Sequence, residues 1–175
     1  MPSIHFSILK LTIGAPGSGK TTWVKEYKKT HPLTYIISTD EIRKELTGTS
    51  GCDPSQNSMI HDVARKRVQE ILDDPANYGE NQGMGPEILV DSTNDEIEEW
   101  LKYKDLKPSA MVAIVFKIDL EEAMRRQFIR GRIVPRDVVE KKWRNIEKNL
   151  KYLPCFFNMI EMIDTSSTPS FSQLV

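Results

Sequence analysis

The sequence predicts a single α/β domain: a parallel five-stranded sheet, helices on both faces, and a helical lid. Three observations predict it. Short apolar runs alternate with amphipathic stretches along the 175 residues, and parallel strands need crossover connections of that kind. A glycine-rich turn joins the first apolar run to the first amphipathic stretch. The fourth run, Ala110 to Ile118, is almost wholly apolar, as a central strand covered on both faces must be.

Taken in order, Ile4 to Ile13 is rich in Ile, Leu and Thr and reads as a strand. Gly14 to Gly19 is too glycine-rich for regular structure, and Lys20 to Lys29 reads as a helix. Thr34 to Ser38 is a second strand and Thr39 to Leu46 a short helix. Thr47 to Asn57 holds Gly48, Gly51 and Pro54 and reads as a loop. Ser58 to Leu72 places Ile60, Val63, Ala64, Val68, Ile71 and Leu72 at helical spacing. Asp73 to Pro86 is a polar loop. Glu87 to Asp91 is the third strand and Asp95 to Tyr103 a helix. After the strand from Ala110, Leu120 to Ile129 is a helix, broken by Gly131 to Pro135. Arg136 to Leu150 is another helix, and Met159 to Ile163 the fifth strand. The chain from Ser166 reads as a polar tail.

Composition is that of an ordinary soluble domain: 39% hydrophobic, 28% charged, with a formal net charge of −1. That balance excludes a protein that holds nucleic acid by bulk positive charge. Positive charge is concentrated locally, with 11 Lys/Arg against 6 Asp/Glu in residues 117–152. The two cysteines, Cys52 and Cys155, have no metal-site spacing, so free thiols in a reducing compartment are expected. No apolar run approaches the roughly 18 residues of a membrane span. The expectation is a cytoplasmic protein without a membrane partner. His5, His31 and His61 are expected in packing or surface roles. Trp23, Trp100 and Trp143 are spaced as core or helix-packing residues.

The strongest motif is Gly14-Ala15-Pro16-Gly17-Ser18-Gly19-Lys20-Thr21, with Thr22 following. It fits the P-loop pattern G-x-x-x-x-G-K-[ST] between a strand and a helix. Glycines let backbone N–H groups close around anionic phosphates, and the helix start adds its positive dipole end. Lys20 brings charge to the β- and γ-phosphates, and Thr21 offers a hydroxyl to Mg²⁺. The chain lacks the N-K-x-D sequence of a guanine-reading GTPase. A small chain with this loop points to a phosphotransferase using ATP and Mg²⁺.

The acceptor side is read from strand ends, where open α/β sheets place ligands. Asp40 follows the second strand and is a candidate general base for an attacking hydroxyl. Arg43 shares its helix face and is a candidate for an acceptor phosphate. Ser38 and Glu41 also form a capping box, which explains a carboxylate at Asp40 but not Arg43. Asp91, Ser92, Thr93 and Asn94 end the third strand. Asp91 is a candidate for Mg²⁺ or for holding Arg43, and Thr93 and Asn94 are candidate acceptor contacts. Thr93 and Glu96 form a second possible capping box. Arg125, Arg126, Arg130 and Arg132 surround Gly131 just before Val134-Pro135, a plausible closing lid around residues 125–136. An arginine on the transferring phosphoryl group is worth roughly 10³ to 10⁵ in rate.

From Leu11 to about Leu150 these pieces resemble the 5′-kinase domain of the bacteriophage polynucleotide kinase family, one of the adenylate-kinase-like P-loop phosphotransferases of nucleic-acid repair. The resemblance rests on Leu11 to Trp23, the Asp40–Arg43 spacing, Ser92-Thr93-Asn94, and Arg126 and Arg130 before Gly131. It implies one P-loop kinase domain over residues 1–175. It implies catalytic roles for Lys20, Asp40 and Arg130, with Arg126 nearby on ATP, and a 5′-hydroxyl DNA or RNA end as acceptor. The family pattern reads Asp-Thr-Asn where this chain has Ser92-Thr93-Asn94, with Asp91 one place earlier. The family's phosphatase motif D-x-D-G-T is missing, so kinase chemistry alone is expected. Two other readings fit the motifs. One is a kinase of nucleosides, nucleoside monophosphates or modified bases. The other is a nucleotide-dependent binding module without transfer chemistry, which Asp40, Arg43 and the lid arginines speak against.

Overall fold

A computed structural model describes residues 6–49, 53–78, 84–129 and 134–166. Five parallel strands form one sheet in the order β2-β3-β1-β4-β5. They are β1 (Phe6–Ile13), β2 (Tyr35–Ser38), β3 (Met84–Asp91), β4 (Ala110–Lys117) and β5 (Met159–Asp164). β1 pairs with β3 on one side (Leu11 opposite Val90) and with β4 on the other (Ile13 opposite Val115). β2 pairs with β3 so that Ser38 lies opposite Asp91. The C-terminal ends of β1, β2 and β3 therefore lie side by side. The Gly14 loop, Asp40 and Asp91 follow from those three ends.

Among the described residues seven helices connect the strands: α1 (Lys20–Thr30), α2 (Thr39–Thr47), α3 (Asn57–Asp73), α4 (Ile97–Lys104), α5 (Leu120–Ile129), α6 (Arg136–Asn149) and α7 (Leu153–Phe156). Alternation along the strands sends side chains to two cores. On one face Leu9, Leu11, Ile13, Val90 and Val115 pack with Ile42, Ile60, Ala64, Val68, Trp100 and Ile146. On the other, Leu89, Val112, Ile114 and Phe116 meet Val24 and Trp23 of α1. A third cluster of Ile118, Ala123 and Val139 joins α5 to α6. Burial on both faces is why β4 reads as a continuous apolar run.

The expected α/β architecture is therefore the one observed, with instructive differences. β3 begins at Met84, inside the expected loop and ahead of Pro86. Its register with β1 shifts between Phe6 and Ile8, an irregularity that accommodates a proline in a strand. α4 starts at Ile97 rather than Asp95. The Thr93–Glu96 capping box does not form, because Thr93 Oγ1 donates to Asp95 Oδ1 at 3.2 Å instead. The Ser38 cap is present at 3.4 Å from Glu41 N. A 3-10 turn at Leu150–Tyr152 continues from the end of α6, and α7, with Pro154 in its first turn, lies where no element was expected. Trp100 is 1% exposed and a core residue, while Trp143, partly buried, packs against the core and donates from Nε1 to Ile118 O at 2.8 Å. His31 ends α1 and stacks on Tyr27, while Cys155 is exposed and free. His5 and Cys52 lie outside the described residues. No helix among the described residues is long and apolar enough to cross a membrane.

Candidate active site

The Gly14–Thr21 loop is held by its own backbone and by the end of β3. Gly14 N donates to Thr93 O at 3.2 Å, and Ser18 N donates to Ala15 O at 3.1 Å. Gly17 and Gly19 both have φ of +89°, which only glycine adopts without strain. At Gly17 a Cβ would also meet Ala123 O at 2.5 Å, so α5 packs directly on the loop. Ala15 and Ser18 are buried within the turn. Pro16, Gly17, Gly19, Lys20 and Thr21 line a cavity above it. Thr22 is exposed on α1 and does not line that cavity.

Lys20 donates from Nζ to Gly14 O at 2.7 Å and Ala15 O at 2.9 Å. Burial lowers its pKa to about 8, against the pull of Asp91 and Asp40. Thr21 Oγ1 donates to Asp91 Oδ2 at 3.0 Å. Burial raises the Asp91 pKa, and the Lys20 charge and the Thr21 hydrogen bond only partly oppose it. A hydroxyl and a poorly solvated carboxylate side by side are hard oxygen donors that fit Mg²⁺, an ion that takes few protein ligands and several phosphate or water oxygens. Among the described residues no group of three or more His, Cys, Asp or Glu forms a metal cage, and a Mg²⁺ held partly by phosphates needs none.

Asp40 and Arg43, from the first turns of α2, line the same cavity opposite the loop. Asp40 is partly buried and Arg43 is 8% exposed. Arg43 Nη2 donates to Asn57 Oδ1 at 3.0 Å. Its Nε and Nη1 are buried without a partner. Asp91, committed to Thr21, is not the group that holds Arg43; Asn57 is. Nothing in the spacing of α3 marks Asn57 for that task.

The strand-end residues separate into two kinds. Thr93 lines the cavity and accepts a hydrogen bond from Lys142 Nζ at 3.3 Å. Asn94, expected on the acceptor side, turns inward instead. It is 1% exposed, donates to Thr12 O at 2.8 Å, and accepts from Trp100 Nε1 through its carbonyl at 2.7 Å. Its φ of +43° makes the turn that points it inward. Ser92 accepts from Thr39 Oγ1 at 3.1 Å.

On the lid side the cavity wall is Gln127, Val134, Val138 and Lys142. Lys142 also donates to Asp95 Oδ1 at 2.8 Å, and Asn145 donates to Asp95 Oδ2 at 3.0 Å. Burial raises the Asp95 pKa, but Lys142 and Asn145 outweigh it and hold the carboxylate below its ordinary range. This clamp docks α6 beside the site. Sequence patterning treats Lys142 as one of many helix-surface lysines and offers no signal for it. Arg126 donates to Glu122 Oε1 at 2.7 Å and to Thr165 O. Thr165 Oγ1 in turn donates to Ser18 O at 3.0 Å, so Arg126 stands one residue away from the loop and not in the cavity wall. Arg125 pairs with Glu122 at the surface. Arg130 and Arg132 lie outside the described residues.

Sheet order and phosphate loop, with Asp40 and Asp91 lining the cavity beside it, together define a P-loop domain. A family model described as "AAA domain" (AAA_33) matches residues 9–153, and the chain belongs to that family. Among solved structures it resembles a chain of the Pnkp1/Rnl/Hen1 RNA repair complex, with TM-score 0.69 and 22% identity over 85% of this chain and 46% of that one. A second structure of the Pnkp1/Rnl/Hen1 complex matches with TM-score 0.56 and 22% identity over 70% and 39% of the two chains. A gluconokinase from Sinorhizobium meliloti 1021 matches with TM-score 0.61 and 13% identity over 94% of this chain and 85% of that chain. At these identities the likeness is one of fold. The chain spans less than half the length of the RNA-repair chains it matches.

Proposed function

We propose that this chain is an ATP-dependent polynucleotide 5′-hydroxyl kinase, moving the γ-phosphoryl group of ATP onto a 5′-hydroxyl DNA or RNA end. The observation that carries the reading is that Asp40 and Arg43 line one cavity together with Lys20 and Thr21. A phosphate acceptor arrives already ionised and needs no base. A hydroxyl acceptor must lose a proton, and a carboxylate one turn from Arg43 can take it.

The acceptor oxygen attacks the γ-phosphorus, and its new bond forms as the bond from that phosphorus to the bridging oxygen of ADP breaks. The Asp40 carboxylate takes the hydroxyl proton, and ADP leaves with the bonding electrons. Lys20 releases the loop carbonyls and turns to the β- and γ-phosphates. Thr21 and Asp91 would hold Mg²⁺, which neutralises charge on the phosphates when bound. Arg43 pairs with a phosphate of the acceptor. Arg126, held by Glu122 and by Thr165 next to the loop, is assigned to the nucleotide by resemblance. Arg130 is assigned to the γ-phosphate by resemblance alone.

A second reading, a small-molecule kinase, is favoured by the match to the gluconokinase over most of both chains. An acceptor panel separates the two. The protein is incubated with γ-labelled ATP and Mg²⁺ and offered 5′-hydroxyl oligonucleotides, nucleosides, nucleoside monophosphates and gluconate in parallel. Label in the oligonucleotides at the highest kcat/KM is expected. Label confined to gluconate or to monophosphates would overturn the assignment, and label in none would favour a binding module.

A further inference from the structure

Asn57 and His61 stand one turn apart on α3 and so share a helix face. Both line the cavity with Asp40 and Arg43. Arg43 brings two buried N–H groups, Nε and Nη1, that have no partner. Donors in that condition cost free energy until an acceptor meets them. Behind His61 stands Glu99 of α4. His61 Nδ1 lies 3.2 Å from Glu99 Oε2, off the line of a hydrogen bond. Glu99 also takes Lys102 Nζ at 3.0 Å and Arg65 Nη1 at 3.3 Å. Burial works to raise the Glu99 pKa, but His61 and Lys102 overcome it and hold it at about 2. Glu99 is thus an anion at any working pH. Among the described residues His61 has no further polar partner, and its ring faces the cavity.

A guanidinium with bare donors and an imidazole braced by a carboxylate, from adjacent helices, form a wall suited to an anion. Asp40 stands on the same side of the cavity. The anion this wall takes is therefore carried by the acceptor, near the hydroxyl that gives up its proton. In a nucleic-acid 5′ end that anion is the first phosphate of the strand, on the 3′-oxygen of the terminal sugar.

We infer that His61, braced by Glu99, is a second ligand for the acceptor's 3′-phosphate and works beside Arg43. The inference rests on the 5′-hydroxyl kinase reading and deepens it. Glu99 holds the ring from the Nδ1 side, and Nε2–H donates to the phosphate. His61 then makes the site favour a nucleotide end over a bare nucleoside.

The test is calorimetric, on the full chain with ADP saturating the phosphate loop. Thymidine 3′-monophosphate, uridine 3′-monophosphate, the two nucleosides and gluconate are titrated into wild type, His61→Ala and His61→Lys. Wild type is expected to bind the 3′-monophosphates at least about tenfold tighter than the nucleosides. His61→Ala should lose about tenfold on the monophosphates and nothing on the nucleosides, the size of one charge-assisted hydrogen bond. His61→Lys, which restores an N–H donor, should recover part of the loss. A shared thermal midpoint checks that the variants are folded. If His61→Ala keeps the full preference for the 3′-phosphate, the inference falls and the kinase reading stands. If wild type shows no such preference, or prefers gluconate, the acceptor reading falls and the inference falls with it.

Discussion

Lys20 and Asp91 carry opposite charges in a site that solvates neither well. Burial lowers the Lys20 pKa to about 8 and raises that of Asp91. Each leaves its ordinary range toward the neutral form, which is the response of an ion to lost water. On the proposed reading a triphosphate and a divalent cation would supply the missing partners. The sign for nucleotide binding follows. Below pH 8 Lys20 is already charged, so binding takes up no proton there. Above pH 8 the free lysine loses its proton while the phosphate-bound one keeps it. ATP affinity should therefore be level from pH 7 to 8 and weaken by about tenfold per unit from there toward 10.5. Titration calorimetry with ATP across that range checks it. A flat profile would mean that Lys20 keeps its proton without the nucleotide.

At the scale of the element, the loop and α5 form one unit. The left-handed backbone at Gly17 and the close approach of Ala123 O leave no room for a side chain. Gly17→Ala should lower stability by about 1–3 kcal/mol through strain and displaced packing, and should abolish ATP binding. Urea unfolding and a nucleotide-binding assay read the two effects. An alanine that left both unchanged would show that α5 yields easily and that the loop does not depend on it.

Elements of this kind were largely legible in the sequence. Strands buried on both faces announce themselves as apolar runs, and the loop motif carries its own spacing. What escaped depends on contacts between distant residues. Asp95 reads as the start of a helix, but Lys142 and Asn145 hold its side chain and α4 begins two residues later. Asn94 reads as a strand-end polar group open to a ligand, but a positive φ and a bond to Thr12 turn it into the core. Asn57, His61 and Lys142 face the cavity only because α3 and α6 converge on it from separate parts of the chain. Periodicity shows which face of a helix is apolar and says nothing of what its polar face meets.

At the scale of the molecule, the strand order β2-β3-β1-β4-β5 brings three strand ends together and thereby sets the chemistry. β1 feeds the phosphate loop, β2 feeds Asp40 and Arg43, and β3 ends on Asp91. The phosphate loop and the Asp40–Arg43 pair lie on either side of the Asp91 strand end because β3 separates β1 from β2 in the sheet. The proposed chemistry is transfer of a phosphoryl group to a hydroxyl in this cavity, with Asp40 as the base. Single-turnover transfer from ATP to a 5′-hydroxyl oligonucleotide, in wild type and Asp40→Asn, tests it most directly. The amide keeps the shape and removes the base. Transfer should fall by roughly 10² to 10⁴-fold while the Kd for ATP stays within about twofold of wild type. Undiminished transfer in Asp40→Asn would contradict the account and leave Asp40 a helix-start residue.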